Sequence, residues 1–371
     1  MHAISAPLRI AFVVAERGLD GTRLVALDDG GDRQAELIAP ADHPRGAQAA
    51  ATRETNPAVS PDGRWLVFAS GRDRAAGLTS LWIAPLEPDA IATLLGGELG
   101  RADTTVAASV VETQPAWTAD GRAIVFASTA DGGDFDLWRV PVAGGRAIGP
   151  AVQITHGDGH EITPTVAPDG AIAYSAVAAG TTADAPTTSH LELLAPDGTV
   201  THLTEGPSDV SPAFSPDGSQ LAFARPVPRG AAVDADLWLM PRAGGEPTAV
   251  ANVPLTDESG PTWSRDGRFL FATSVLRGEG GHVLFSSVVH VDLRESPRRV
   301  RILRDRVRAF VRLTPAVVAR TLGVAALHAD AEYLPELGRI MATAIAEQTQ
   351  ALPPPPPPSP PPPPPPPGDR R

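Results

Sequence analysis

Five carboxylates each stand three residues before a proline. They are Glu54, Glu112, Glu161, Asp209 and Glu258, ahead of Pro57, Pro115, Pro164, Pro212 and Pro261. A sixth proline in a similar setting, Pro315, has Arg312 at the same offset. Acidic side chains gathered round one axis would form a negative funnel able to hold a cation or a basic segment of a protein partner. The same side chains could instead bond backbone amides of a neighbouring unit, or pair with Arg312, and so hold a repeating structure together. A periodic position in a repeat serves the repeat's geometry first. Either way, these six residues are the first to locate.

The other chemistry-bearing types are sparse. His156-Gly157-Asp158-Gly159-His160-Glu161 carries metal-capable groups in one short segment. A single Gly-rich stretch reads first as a polar loop. His190, His202 and His290 are available, but nothing in the sequence joins them into a second cluster. The expectation is therefore no cofactor and no metal site, with His156, Asp158 and His160 as the nearest candidate. Cysteine is absent, which removes disulfides, zinc thiolates and a thiol nucleophile. Lysine is absent too, so all 31 basic residues are Arg and Schiff-base or P-loop chemistry is excluded. No G-x-S-x-G elbow or dinucleotide fingerprint occurs. No catalytic residue is assigned, and the chain is read as a binding protein, not an enzyme.

The elements that position the carboxylates recur with them. Glu54–Ser70 reads ETNPAVSPDGRWLVFAS, and related stretches begin at Glu112, Glu161, Asp209 and Glu258. Their turn aspartates, Asp62, Asp120, Asp169, Asp217 and Asp266, are 58, 49, 48 and 49 residues apart. In Ser60-Pro61-Asp62-Gly63, Pro presets φ, Asp caps local amides and Gly takes the left-handed conformation. That role accounts for the five aspartates without a metal. The strand after the turn, Trp65-Leu66-Val67-Phe68, is apolar on both faces, as a strand between two layers must be. A third strand follows as Leu81-Trp82, Leu137-Trp138 or Leu237-Trp238, then a short fourth such as Ala151–Thr155. A four-stranded unit of this kind cannot bury both faces alone, and stacking in a ring solves that.

In this order of strand, SPDG turn, IVFAS-like strand, LW strand and xxLT strand, the chain resembles the PD40 (WD40-like) TolB-type β-propeller repeat over about residues 8–318. The expected fold is all-β, a six-bladed propeller. Residues 8–38 look like a blade lacking its first strand. Arg306–Leu313, which alternates at strand period, is expected to close it, while Thr314-Pro315 could equally start a helix. Residues 319–350 read as a helical appendage with Leu334, Leu337, Ile340, Met341 and Ile345 on one face. Residues 351–371 read as a disordered tail with a polyproline II rod, either a spacer or a ligand for a proline-binding groove.

The formal charge of −12 argues against general nucleic-acid affinity. The basic stretch Arg298–Arg312, with only Phe310 as an interleaved aromatic, reads as strand faces that partner acidic blades. No apolar run is long enough for a membrane helix. The first apolar segment matches a repeat strand and has no Arg before it in its first eight residues, so it is not read as a leader, and the chain is expected to be cytoplasmic if this N-terminus is the true start. The resemblance implies otherwise, a role at the bacterial cell envelope, where a TolB propeller's mouth engages a peptidoglycan-associated lipoprotein. The functional expectation is a non-enzymatic scaffold that binds a protein partner through its channel mouth and loops. The alternatives are a metal-dependent lyase or hydrolase with its site in the channel, and a small-ligand or glycan sensor. The sensor should show exposed aromatics at one mouth, and Trp117 and Trp263 are the ones to locate. Trp65, Trp82, Trp138 and Trp238 fall on strands expected to be buried.

Overall fold

A computed structural model describes residues 12–18, 21–27, 33–38, 54–72, 74, 77–95, 110–178, 188–206, 208–229, 232–250, 256–277 and 283–302. Arg312, the expected closing strand, the helical appendage, the proline-rich tail and the Arg304–Arg312 part of the basic stretch all lie outside them. Every regular element among the described residues is a β-strand.

The strands form antiparallel sheets in chain order. Blade I runs Glu54–Val59, Trp65–Ser70, Ser80–Pro85 and Thr93–Leu94. Blade II runs Glu112–Trp117, Ala123–Ser128 and Asp136–Ala143, and its outer edge is split between Arg146–Ala147 and Val152–Gln153. Blade III runs Gly159–Val166, Ile172–Ala178, Ser189–Leu194 and Val200–His202. Blade IV runs Val210–Phe214, Gln220–Arg229, Ala232–Pro241 and Thr248–Ala249, and blade V runs Thr256–Trp263, Phe269–Arg277, Val283–Asp292 and Val300–Ile302. An N-terminal sheet of three strands, Phe12–Gly18, Gly21–Leu27 and Arg33–Glu36, precedes them. Six blades were expected, and the described residues hold five complete ones. Among the described residues the N-terminal sheet has three strands and no fourth.

Each sheet packs on the next, and the first strand of each blade touches the first strand of its neighbour, so these strands lie innermost. The second strands are the cores. Leu66–Ser70 and Ala123–Ser128 are buried throughout, which the two-sided apolar pattern demands. Between blades I and II, Val67, Ala69, Leu81 and Ile83 meet Ile124, Phe126, Val140 and Val142. Between the N-terminal sheet and blade I, Leu24, Ala26, Leu37 and Ile38 meet Leu66, Phe68 and Ala90, and the amide of Ala90 donates to Leu37 O at 2.9 Å. Trp65, Trp82, Trp138 and Trp238 sit half-buried at seams between blades, less enclosed than their apolar strands suggested, as the largest side chain is seldom fully buried.

The turns do what their residues prescribe. Ser60 Oγ donates to Asp62 Oδ1 at 2.6 Å and accepts from the Trp65 amide at 2.9 Å, while Arg64 N donates to the same carboxylate oxygen at 3.0 Å. These bonds, the Ser60 hydroxyl first, hold the Asp62 carboxyl below its ordinary range, and Ser215 pushes Asp217 down to about 2. One glycine tests how closely the blades approach. Gly145 has φ +71 and its missing Cβ would lie 2.1 Å from the Trp65 ring of blade I. Gly145→Ala should therefore cost about 3 kcal/mol, from the left-handed backbone and from displacement of the indole. Urea unfolding followed by tryptophan fluorescence would measure it.

Candidate functional site

Glu54 and Glu112 begin an inner strand, Asp209 immediately precedes one, and Glu161 and Glu258 are the third residues of theirs. All five are buried, with Asp209 at 0% and Glu112, the most open, at 8% exposure. They lie in the seams between blades. Their partners differ from blade to blade. In blade I, Arg72 forks onto Glu54 through Nε and Nη2, both to Oε1, with Nε at 2.8 Å. In blade IV, Arg225 binds both oxygens of Asp209 at 2.6 and 2.7 Å. Each guanidinium also lies over an aromatic from the third strand, Arg72 at 5.6 Å from Trp82 and Arg225 at 5.1 Å from Trp238. In blade II, Glu112 Oε2 accepts the Leu81 amide of blade I at 3.2 Å.

The remaining two carboxylates face other acids. Glu161 meets Asp136 from the third strand of blade II, and Glu258 lies near Asp236 from the third strand of blade IV. Thr155 Oγ1 donates to Glu161 Oε2 at 3.2 Å. Thr256 and Ser274 donate to Glu258 Oε1 at 2.7 and 2.9 Å. Burial, reinforced by Asp136, pushes Glu161 up to about 7. Burial also raises Asp136, against the bond it shares with Glu161, and burial with Asp236 nearby takes Glu258 to about 8. At Glu258 the carboxylic acid is the favoured species near neutral pH, and at Glu161 the two forms are nearly balanced there.

The backbone after each carboxylate is bulged. Register slips between Thr55 and Ala58, Thr113 and Ala116, Ile162 and Thr165, Val210 and Ala213, and Ser259 and Thr262. The residue two after each acid takes a left-handed φ: Asn56 at 51, Gln114 at 52, Thr163 at 53, Ser211 at 55 and Gly260 at 60. Four of these are not glycine, and Thr163 is β-branched, so each stores strain on the order of 1–3 kcal/mol. Polar groups here link inner strands to the neighbouring blade. Thr113 Oγ1 donates to Asn56 Oδ1 at 3.2 Å, the Thr163 amide donates to Gln114 Oε1 at 2.9 Å, and the Ser211 amide donates to Ser175 Oγ at 3.2 Å. Asn56 and Gly260 are exposed and Gln114, Thr163 and Ser211 half-exposed, so this girdle meets solvent where the acids do not.

No family model matches the chain, and no curated protein matches it. Solved structures do. The structure of a putative TolB from Agrobacterium tumefaciens superposes with a TM-score of 0.50 at 18% identity, over 69% of this chain and 81% of that one. TolB from Acinetobacter baumannii gives a TM-score of 0.55 at 15% identity, over 79% of this chain and 63% of that one. The fold is a TolB-type β-propeller. A structure of the nidogen/laminin complex also matches, with a TM-score of 0.51 at 13% identity over 78% of this chain and 91% of that one.

Within this TolB-type propeller, the other sequence candidates are placed as follows. Trp117 Nε1 donates to Ala58 O of blade I at 3.0 Å, and Trp263 Nε1 to Ala213 O of blade IV at 3.0 Å. Both indoles clamp one inner strand to the previous one. His160 Nδ1 accepts the Phe135 amide at 3.1 Å, also across a seam. His156, Asp158 and His160 do not converge on a common point among the described residues, since the one group there that could hold a metal is elsewhere. An open cleft of about 550 Å³ between blades II and III is lined by Asp120, Arg139, Val166, Pro168 and Leu194 among others, with no aromatic ring. Sequence reasoning missed the Arg72 and Arg225 forks, the acid partners Asp136 and Asp236, and the bulge girdle. The forks had a signal: an Arg one or two residues past the second strand's Ala-Ser or Ala.

Proposed function

We propose that this TolB-type propeller is a non-enzymatic scaffold that binds a polypeptide segment of a protein partner at its channel mouth and adjoining loops. The observation that carries the reading is the girdle of strained polar bulges, Asn56, Gln114, Thr163 and Ser211, repeated beside five buried acids. Strain kept at one edge of a repeat, where polar groups meet solvent, is the mark of a surface shaped for a ligand. The acids, with Arg72 and Arg225, fix the blades that present it, and Arg312 would serve the same purpose in the sixth seam. A polypeptide suits the girdle because peptide groups offer both donors and acceptors, which amide and hydroxyl side chains match without a charge requirement.

The propeller of six blades with interlocked closure, the helical appendage at 319–350 and the tail at 351–371 belong to the same proposal. Closure of the N-terminal sheet by a later strand would make the girdle continuous. A photo-crosslinking residue at Asn56, with a control at Thr248 on the outer edge of blade IV, tests the reading in living cells. A defined polypeptide adduct from position 56 and none from 248 is the expected result. Adducts from 248 alone, or turnover of a substrate by the purified chain, would overturn it.

A further inference from the structure

The outer half of blade III holds a cluster that the proposed partner site does not use. His190 and Glu192 alternate on one face of the third strand, and Glu192 is register-paired with His202 on the fourth. Their ligand atoms all lie within 4.8 Å of one another. Glu192 Oε1 is 3.1 Å from His190 Nε2 and 4.0 Å from His202 Nδ1. The two imidazole centroids are 4.0 Å apart with planes at 33°. We propose that His190, Glu192 and His202 form a binding site for a divalent transition-metal ion of the zinc class.

Three features carry this. The donor set comes first: two imidazoles and one carboxylate suit zinc, nickel or copper, whereas magnesium and calcium take oxygen sets. Second, the carboxylate is already oriented. Tyr174 OH donates to Glu192 Oε2 at 2.6 Å. That commits one oxygen to Tyr174 and leaves the other facing both rings, the outer-shell arrangement that sets ligand geometry at metal sites. Third, the distances suit a modest closure. Tetrahedral zinc at about 2.1 Å from each ligand puts donor atoms about 3.4 Å apart, which the half-exposed imidazoles reach by small rotations. With Nδ1 of His202 on the metal, its Nε2 faces Glu205 Oε1, now 3.9 Å away. Solvent would take the fourth position.

Zinc alone is the probe. The full chain is titrated with Zn²⁺ against a chromophoric chelator, and with Co²⁺ while visible absorption is recorded. The site predicts one tight equivalent, with intense four-coordinate Co²⁺ bands and a melting temperature that rises with Zn²⁺ concentration. His190→Ala and His202→Ala should each remove the bands and the thermal shift, and Tyr174→Phe should weaken binding about 10-fold or more. His160→Ala should leave Zn²⁺ and Co²⁺ binding unchanged, and apo-protein melts check that each variant is folded. Failure of the wild-type chain to bind, or retention of the same tight equivalent by both His190→Ala and His202→Ala, would overturn the proposal.

Discussion

Arg225→Met should lower the unfolding free energy by about 3–5 kcal/mol, because it leaves Asp209 buried and without its cation. Asp209 is 0% exposed, and both its oxygens are held by the guanidinium. Arg72→Met should behave alike at Glu54, where both side chains are 5% exposed. Lysine should not rescue either site. Each guanidinium makes two bonds and lies over an indole, and an ammonium reproduces neither the fork nor the stack. The double variant Arg225→Met/Asp209→Asn should recover part of the loss, since it removes the stranded charge along with its partner. Chemical denaturation of the four proteins in the cycle measures this. A loss for Arg225→Met below about 1 kcal/mol, the range of exposed pairs, would show that the seam is open to water.

The second large effect is a pH dependence with an unusual sign. Glu258 has an ordinary value of 4.5 and is pushed up to about 8 in the fold, first by burial. A carboxyl whose folded value is raised favours the protonated folded form. Its contribution is complete below about pH 4.5 and is lost as pH rises through about 8. Stability should therefore fall between pH 5 and pH 8.5, by an amount on the order of 3 kcal/mol from this group. The Asp136–Glu161 seam, raised in the same direction, adds to the slope. Glu258→Gln keeps an oxygen for Thr256 and Ser274 and puts an NH2 where the acid carries its OH. It should flatten the profile and be more stable than the parent at pH 8.5. Thermal melts from pH 5 to 9 check it, and a wild-type profile that rises across this range would contradict the assignment.

Much of the fold is legible in the sequence because it is local. Ser60-Pro61-Asp62-Gly63 closes its turn with bonds spanning two to five residues, and the two-sided apolar strand after it can only be an interior layer. The position of the acids near the start of each inner strand follows from the same register. Their partners do not. Asp136 reaches Glu161, and Asp236 reaches Glu258, only across a seam whose width and twist are properties of the packed blades. The girdle is illegible for another reason: Asn56, Gln114, Thr163 and Ser211 share a backbone conformation but no residue type. The blade count also depended on a strand distant in sequence, which pattern alone could nominate but not dock. By contrast, the His190–Glu192–His202 cluster was readable in principle. The strand alternates His190-x-Glu192, and the turn at Pro196-Asp197-Gly198 sets Glu192 opposite His202.

The central claim is that buried acids frame the ring while the neighbouring bulge residues bind. Photo-crosslinking at position 56 supplies the partner segment. Its affinity should then be measured for the parent, for Glu258→Gln and for Asn56→Ala/Gln114→Ala, each confirmed folded by its melt. The account predicts parental affinity for Glu258→Gln and a loss of tenfold or more, about 1.4 kcal/mol, for the bulge variant. Weakened binding by Glu258→Gln with an unaffected bulge variant would contradict it, and would assign recognition to the acids themselves.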